Sequence, residues 1–116
     1  MAIEIIIIKE FQDLLSMTNL IERPQICLVA HPDFASNYGV RYYLIAQQKL
    51  QKLLPSCKIT LGIACHDSAS FALEVIAAKV SRVYFFKNSP YWPKIDSLCH
   101  QSGILLYDQQ DLSCLL

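Results

Sequence analysis

Glycine is scarce in this chain, with three residues in 116: Gly39, Gly62 and Gly103. Neither the GxGxxG fingerprint nor the P-loop pattern is present, so a backbone-lined pyrophosphate cradle is excluded. Charge is scarce as well. Ten basic and ten acidic residues, 17% of the chain, balance to a formal net charge of zero, and they are scattered rather than blocked. A basic footprint is therefore missing, and no nucleic-acid or membrane partner is expected. No apolar run approaches the roughly 20 residues that span a bilayer. The apolar N-terminus is interrupted by Glu4. It lacks a preceding positive stretch and a following small-residue cleavage site, so it does not read as a signal peptide.

Cysteine is present without the spacing that would give it a role. The five residues Cys27, Cys57, Cys65, Cys99 and Cys114 are odd in number, and none forms a CxxC pair. Buried free thiols in a reducing compartment are expected, and with them a cytoplasmic location. What the chain does have is apolar content, at 53%. One domain of this length buries roughly 65% of its extended-chain surface, enough for a core without staples. So apolar a composition with so little charge points to a surface partly covered by a partner, either a second copy, as in a homodimer, or another protein.

The stretch Cys57–Phe86 sets the architecture. Lys58–Ala64 is apolar and rich in β-formers, Cys65-His66-Asp67-Ser68 is a polar turn, and Ser70–Lys79 places Phe71, Val75, Ile76 and Ala78 at helical spacing. Val83–Phe86 is a second short apolar run. This is a βαβ unit. Before it, Ala2–Ile8 and Gln25–Ala30 read as strands, and Glu10–Leu20 reads as an amphipathic helix bounded by Asn19 and Pro24. His31–Gly39 reads as a long polar loop. Val40–Leu54 is a helix with Tyr43, Ala46, Leu50, Leu53 and Leu54 on one face and Gln47, Gln48, Gln51 and Lys52 on the other. After the unit, Lys87–Pro93 is a loop and Lys94–Gln101 a short helix with Ile95, Leu98 and Cys99 turned inward. Gly103 is its C′ residue, and Ile104–Tyr107 is the last strand. Asp108–Asp111 begins a terminal turn, and Cys114-Leu115-Leu116 docks on the body.

Five strands alternating with helices predict a single three-layer α/β/α domain around a mostly parallel five-stranded sheet, flavodoxin-like or Rossmann-like. The order 2-1-3-4-5 is the first choice and a half-barrel the rival; a full (β/α)₈ barrel needs a longer chain.

Ligands bind such sheets beyond the carboxyl ends of the strands. Those ends offer His31 and Asp33, then Cys65, His66, Asp67 and Ser68, then Lys87, then Asp108. Asp67 or Ser68 can cap the following helix. The competing reading is an anion held by that helix start, which Asp67 would repel. His31, Asp33, Cys65, His66 and Asp67 are metal-ligand types, but H-x-D…C-H-D matches no strong signature and no metal is assigned. Cys65 and His66 are adjacent on a strand and point apart, so His31 is the better partner for a nucleophilic Cys65; the plainer reading is a buried strand end. Asp33, Asp67 and Lys87 are residue types of phospho-acceptor receiver domains. That family's adjacent acidic pair is absent, with His31-Pro32-Asp33 in its place. Tyr91 and Trp92, between two prolines, are a candidate protein-contact point, or a lid packed over the sheet edge.

Asp67-Ser68-Ala69-Ser70-Phe71-Ala72-Leu73, followed by Ala77-Ala78-Lys79-Val80-Ser81-Arg82-Val83-Tyr84-Phe85, resembles a run found in short, uncharacterised bacterial single-domain α/β proteins. Their pattern is D-x-x-x-x-A-L-x-x-x-A-A-G-V-x-x-V-x-F. Lys79 stands where that pattern has glycine. The resemblance covers about a quarter of the chain and implies a fold without an activity. Two functional expectations follow from the residues. The first is a binding or self-associating domain without catalysis. The second is a phosphate- or metal-dependent small-molecule enzyme or ligand-binding domain that uses the carboxyl-edge cluster. The residues name no cofactor.

Overall fold

The structure, a computed structural model, describes residues 4–13, 24–113 and 115. Five strands form one parallel sheet: β1 (Glu4–Ile8), β2 (Gln25–Ala30), β3 (Lys58–Ala64), β4 (Arg82–Phe85) and β5 (Leu105–Asp108). Four helices are described: α1 (Pro32–Tyr38) and α2 (Val40–Leu53) between β2 and β3, α3 (Ala69–Ala77) between β3 and β4, and α4 (Trp92–Ser102) between β4 and β5. A 3-10 turn, Gln109–Leu112, follows β5. The α/β class and the parallel five-stranded sheet are those the sequence predicts.

The strand order is not the predicted 2-1-3-4-5. It is sequential, β1-β2-β3-β4-β5, as in the half-barrel alternative. Right-handed crossovers that always step the same way place every helix on the same face. The core agrees. Alternate residues Ile26, Leu28 and Ala30 of β2 and Ile59, Leu61 and Ile63 of β3 join one buried cluster with Tyr43, Ala46 and Leu50 of α2, Val75 of α3, and Ile95 and Cys99 of α4. The four described helices therefore form one layer on the sheet, where the sequence predicts a helix layer on each face. The intervening residues Cys27, Val29, Ala64 and Tyr84 make a smaller cluster with Leu112 of the terminal turn, on the opposite face. Ile26, Leu28, Cys27 and Val29 are all fully buried, so β2 needs apolar side chains on both faces, as a central parallel strand does.

The expected loop His31–Gly39 is mostly helix. Pro32 occupies the first turn of α1, where its missing N–H costs nothing, and the His31 ring caps the helix by accepting the Asp33 N–H. Pro32 and Gly39, expected as loop residues, instead mark the two ends of α1. Gly39, at φ +85°, is the break that lets α2 start immediately afterwards. The expected helix Glu10–Leu20 is described only as a 3-10 turn at residues 11–13; the rest lies outside the described residues. The start of the chain is tied to α2 by a column of rings. Phe34 stacks on Tyr38 at 6.4 Å, Tyr38 on Tyr42 at 4.4 Å, and Tyr42 on Phe11 at 4.1 Å. Lys9 lies over the Phe34 ring and Lys49 over Phe11, favourable cation–π contacts. The Tyr43 hydroxyl donates to the Lys9 carbonyl at 2.8 Å.

Other elements depart from expectation in smaller ways. Gln47 and Gln51 are not simply solvated. Gln47 donates to the Ile59 carbonyl at 2.9 Å, while Gln51 donates to the Cys57 carbonyl at 2.7 Å and accepts the Ile59 N–H. Leu53, placed on the buried face of α2, is instead exposed. α4 starts at Trp92, two residues early, with Pro93 in its first turn. Gly103 ends it in the left-handed region, as predicted. At the C-terminus Leu112 docks, whereas Leu115 is exposed; Cys114 and Leu116 lie outside the described residues.

Candidate functional site

Sequential order makes β2 and β3 direct neighbours, with Ala30 paired to Ile63. His31 leaves the end of one and His66 the end of the other, so the two segments that the sequence singles out meet at one edge. Phe86 follows β4 and hydrogen-bonds through its N–H to the His66 carbonyl. Gln109 follows β5. Together these strand ends line a pocket of about 290 Å³ walled by His31, Pro32, Asp33, His66, Phe86, Gln109, Gln110 and Ser113. A second pocket, of about 380 Å³, adjoins it across Phe86 and Gln110, and is lined further by Asp67, Asn88, Ser89 and Pro90.

His66 is the centre of this edge. Its φ is +55°, an uncommon conformation for a residue with a Cβ. Three contacts hold it there. The Gln109 Oε1 accepts its backbone N–H at 2.6 Å, the Gln109 Nε2 lies 3.1 Å from its Nδ1, and the Pro32 carbonyl lies 3.0 Å from its Nε2. Because the Gln109 oxygen must face a backbone donor, its NH₂ faces Nδ1. The neutral ring then carries its proton on Nε2 and donates it to Pro32. His31 is fixed in the same sense, since its Nδ1 accepts the Asp33 N–H at 3.1 Å. The Asp33 carboxylate stands between the two rings, 4.0 Å from His31 Nδ1 and 3.9 Å from His66 Nε2, with its side chain 72% exposed.

The remaining candidates divide. Ser68, not Asp67, caps α3, with Oγ accepting the Phe71 N–H at 3.3 Å; Asp67 lines the second pocket instead. Asp108 has a structural role, because its Oδ1 accepts the N–H of Lys87 and of Gln110 and so closes the β4 and β5 ends on each other. Lys87 contributes that backbone contact, and its side chain lines neither pocket. Cys65 is buried, 3.8 Å from the Ile63 carbonyl, and pairs with neither histidine. Burial pushes its thiol well above the ordinary range, with a smaller contribution from Cys99, the opposite of the lowered, accessible thiol that a nucleophile needs. The other described cysteines, Cys27, Cys57 and Cys99, are also free and buried. Among the described residues no three His, Cys, Asp or Glu side chains converge as a metal ion requires. Tyr91 is 53% exposed, whereas Trp92 packs partly against the helix-side core.

Gln109 has no role in the sequence analysis, and Phe86 is there the last residue of the strand Val83–Phe86, whereas β4 ends at Phe85. Both directly follow a strand, which is the signal that would have found them, but neither is a residue type that a search for acids, bases and ligands selects. The chain matches no protein-family model, and no curated protein matches it in sequence. No described helix is long and apolar enough to cross a membrane.

Proposed function

We propose that this domain binds a small molecule in the pocket at the carboxyl edge of its sheet, and that it works by binding rather than by acid–base catalysis. The observation that carries this is the fixed position of His66. A left-handed backbone at a non-glycine residue costs about 1–3 kcal/mol and persists where surrounding contacts over-determine it, which is common at ligand sites. Here the three contacts from Gln109 and Pro32 do so at the wall of a concave pocket with apolar sides.

The same contacts argue against catalysis. Both nitrogens of His66 are engaged by the protein, and Nδ1 of His31 is engaged as well. Neither ring can take a proton from a substrate at those atoms without first breaking a bond that holds the site together. The buried Cys65 offers no nucleophile. Pre-organised walls around an open pocket suit recognition.

The test is a screen of small polar metabolites by two-dimensional NMR on the labelled protein, with Gln110→Trp as the control. Gln110 lines both pockets from an exposed position, so the indole fills them without touching the core. Binding should shift the ring signals of His66 and the side-chain amide of Gln109, and Gln110→Trp should abolish those shifts. A screen in which no compound perturbs them, or in which hits bind Gln110→Trp equally well, defeats the reading. Sedimentation of the same sample measures self-association independently.

A further inference from the structure

We infer that the ligand of this edge is a small organic cation, an amine carried on an apolar body. The inference rests on the binding reading above and gives it a ligand class. Lining chemistry decides it. The two adjoining pockets bring together the carboxylates Asp33 and Asp67, and among the described residues no lysine or arginine lines either one. The first pocket is walled by Pro32 and Phe86, and Phe86 also lines the second. An aromatic face attracts an ammonium group, and the apolar walls accept the hydrocarbon that carries it.

Two features of the edge would favour an anion, and both are outweighed. Helix starts at a parallel sheet's carboxyl edge present a positive end, worth roughly half a unit charge each. At α1 that end already holds Asp33 in its first turn, and at α3 Asp67 stands directly before the cap Ser68. A full negative charge at each helix start exceeds the half charge that the helix offers. Lys87 is the nearest cation in sequence, but its side chain is outside the lining of both pockets. A phosphate or carboxylate would therefore meet uncompensated negative charge. This argues against the phosphate ligand that the sequence left open.

Asp33 is the group that would pair with the ammonium. Its carboxylate lies 3.9 and 4.0 Å from the two imidazoles, beyond hydrogen-bond distance of either ring, and among the described residues no lysine or arginine lines the pocket it faces. It stands between the apolar pocket and solvent, where a charged head would sit between Asp33 and Phe86 while its hydrocarbon packs against Pro32.

Three molecules with one aryl body and different heads make the test: 2-phenylethylamine, 2-phenylethanol and phenylacetate. Each is titrated against the wild-type protein and against Asp33→Asn, with His66 and Gln109 signals followed by NMR. The amine should bind about tenfold more tightly than the alcohol, the combined worth of an exposed ion pair and a cation–π contact, and phenylacetate should not bind. Asp33→Asn should remove the ion-pair share of the amine's advantage, lowering the preference to about threefold, and leave the alcohol unaffected. Since Asp33 is mostly exposed, the variant's melting temperature should match the wild type's, which separates loss of recognition from loss of fold. Equal binding of all three heads, or tighter binding of phenylacetate, overturns the ligand class while leaving the pocket a binding site. Failure of the amine to shift His66 at millimolar concentration also overturns it; the metabolite screen with Gln110→Trp then decides the fate of the site by itself.

Discussion

Gln109 grips His66 twice, accepting its backbone N–H through Oε1 at 2.6 Å and facing its Nδ1 through Nε2 at 3.1 Å. One half-turn of chain after β5 thus fixes both the backbone and the ring of the residue after β3. Gln109 is itself buried, so its amide has no water to fall back on. Gln109→Ala leaves a part-buried N–H and a ring nitrogen without their protein partner and should cost about 1 kcal/mol. It should also free the ring. In the wild type the ¹⁵N shifts of His66 should report the proton on Nε2, and in the variant a mixture of tautomers. Wild-type stability in Gln109→Ala, read by urea unfolding, would mean that the grip holds nothing.

At the start of α3 two adjacent residues have different jobs. Ser68 Oγ accepts the Phe71 N–H, while Asp67 has no such bond and lines the second pocket. Ser68→Ala should therefore destabilise by about 1 kcal/mol. Asp67→Asn should change stability by a few tenths of a kcal/mol, roughly the interaction of one exposed charge with a helix end. Thermal melts of the two variants side by side settle the assignment; the reverse ranking would make Asp67 the cap.

Much of this was legible in the sequence, and the parts that were not share a cause. β3 is found at its predicted bounds, because seven residues dominated by apolar and β-branched types, closed by a polar turn, fit no other element. The carboxyl-edge residues His31, Asp33 and His66 were legible for the same reason: polar side chains directly after buried strands face the only edge where ligands fit. Strand order was not legible. It depends on the side to which each crossover steps, and no local pattern encodes that. The site inherited the error, since 2-1-3-4-5 would have set β1 between the strands that carry His31 and His66. α1 was missed because Pro32 and Gly39 are loop signals by composition and helix-boundary signals by position. Gln109 was missed because its role lies in a contact across 43 residues of sequence.

Lys79 has φ +59°, in the left-handed region just past α3. Its N–H donates to the Ile76 carbonyl at 3.0 Å, so this turn closes the helix end. The backbone here adopts a conformation that glycine takes freely, under a lysine side chain. A side chain with a Cβ pays about 1 kcal/mol in that region. Lys79→Gly should therefore stabilise the protein by up to about 1 kcal/mol, raising the melting temperature by roughly 4 °C for a domain of this size. Lys79→Ala keeps the Cβ and should give no such gain. If both substitutions behave alike, the effect belongs to the lysine charge rather than to the backbone.

Cys99 and Cys65 make stability sensitive to alkali. Burial raises the Cys99 thiol from 9.0 to about 11, with a smaller contribution from Asp96, and burial raises Cys65 as well. Between those two values the unfolded chain has lost its thiol protons and the folded chain has kept them. The unfolded state then binds fewer protons, so stability falls as pH rises. Below pH 9 both states are protonated and the contribution is constant. Each such thiol should add about 1.4 kcal/mol of lost stability per pH unit across the window. Tyr43 joins above pH 10, since burial raises its hydroxyl too. Urea unfolding at half-unit steps from pH 8 to pH 11 should show a plateau and then a decline. Cys99→Ala will be less stable throughout, because it leaves a cavity, but its decline should be shallower than the wild type's. Parallel curves for the two proteins would mean that Cys99 titrates alike in the folded and unfolded chain, against the burial argued here.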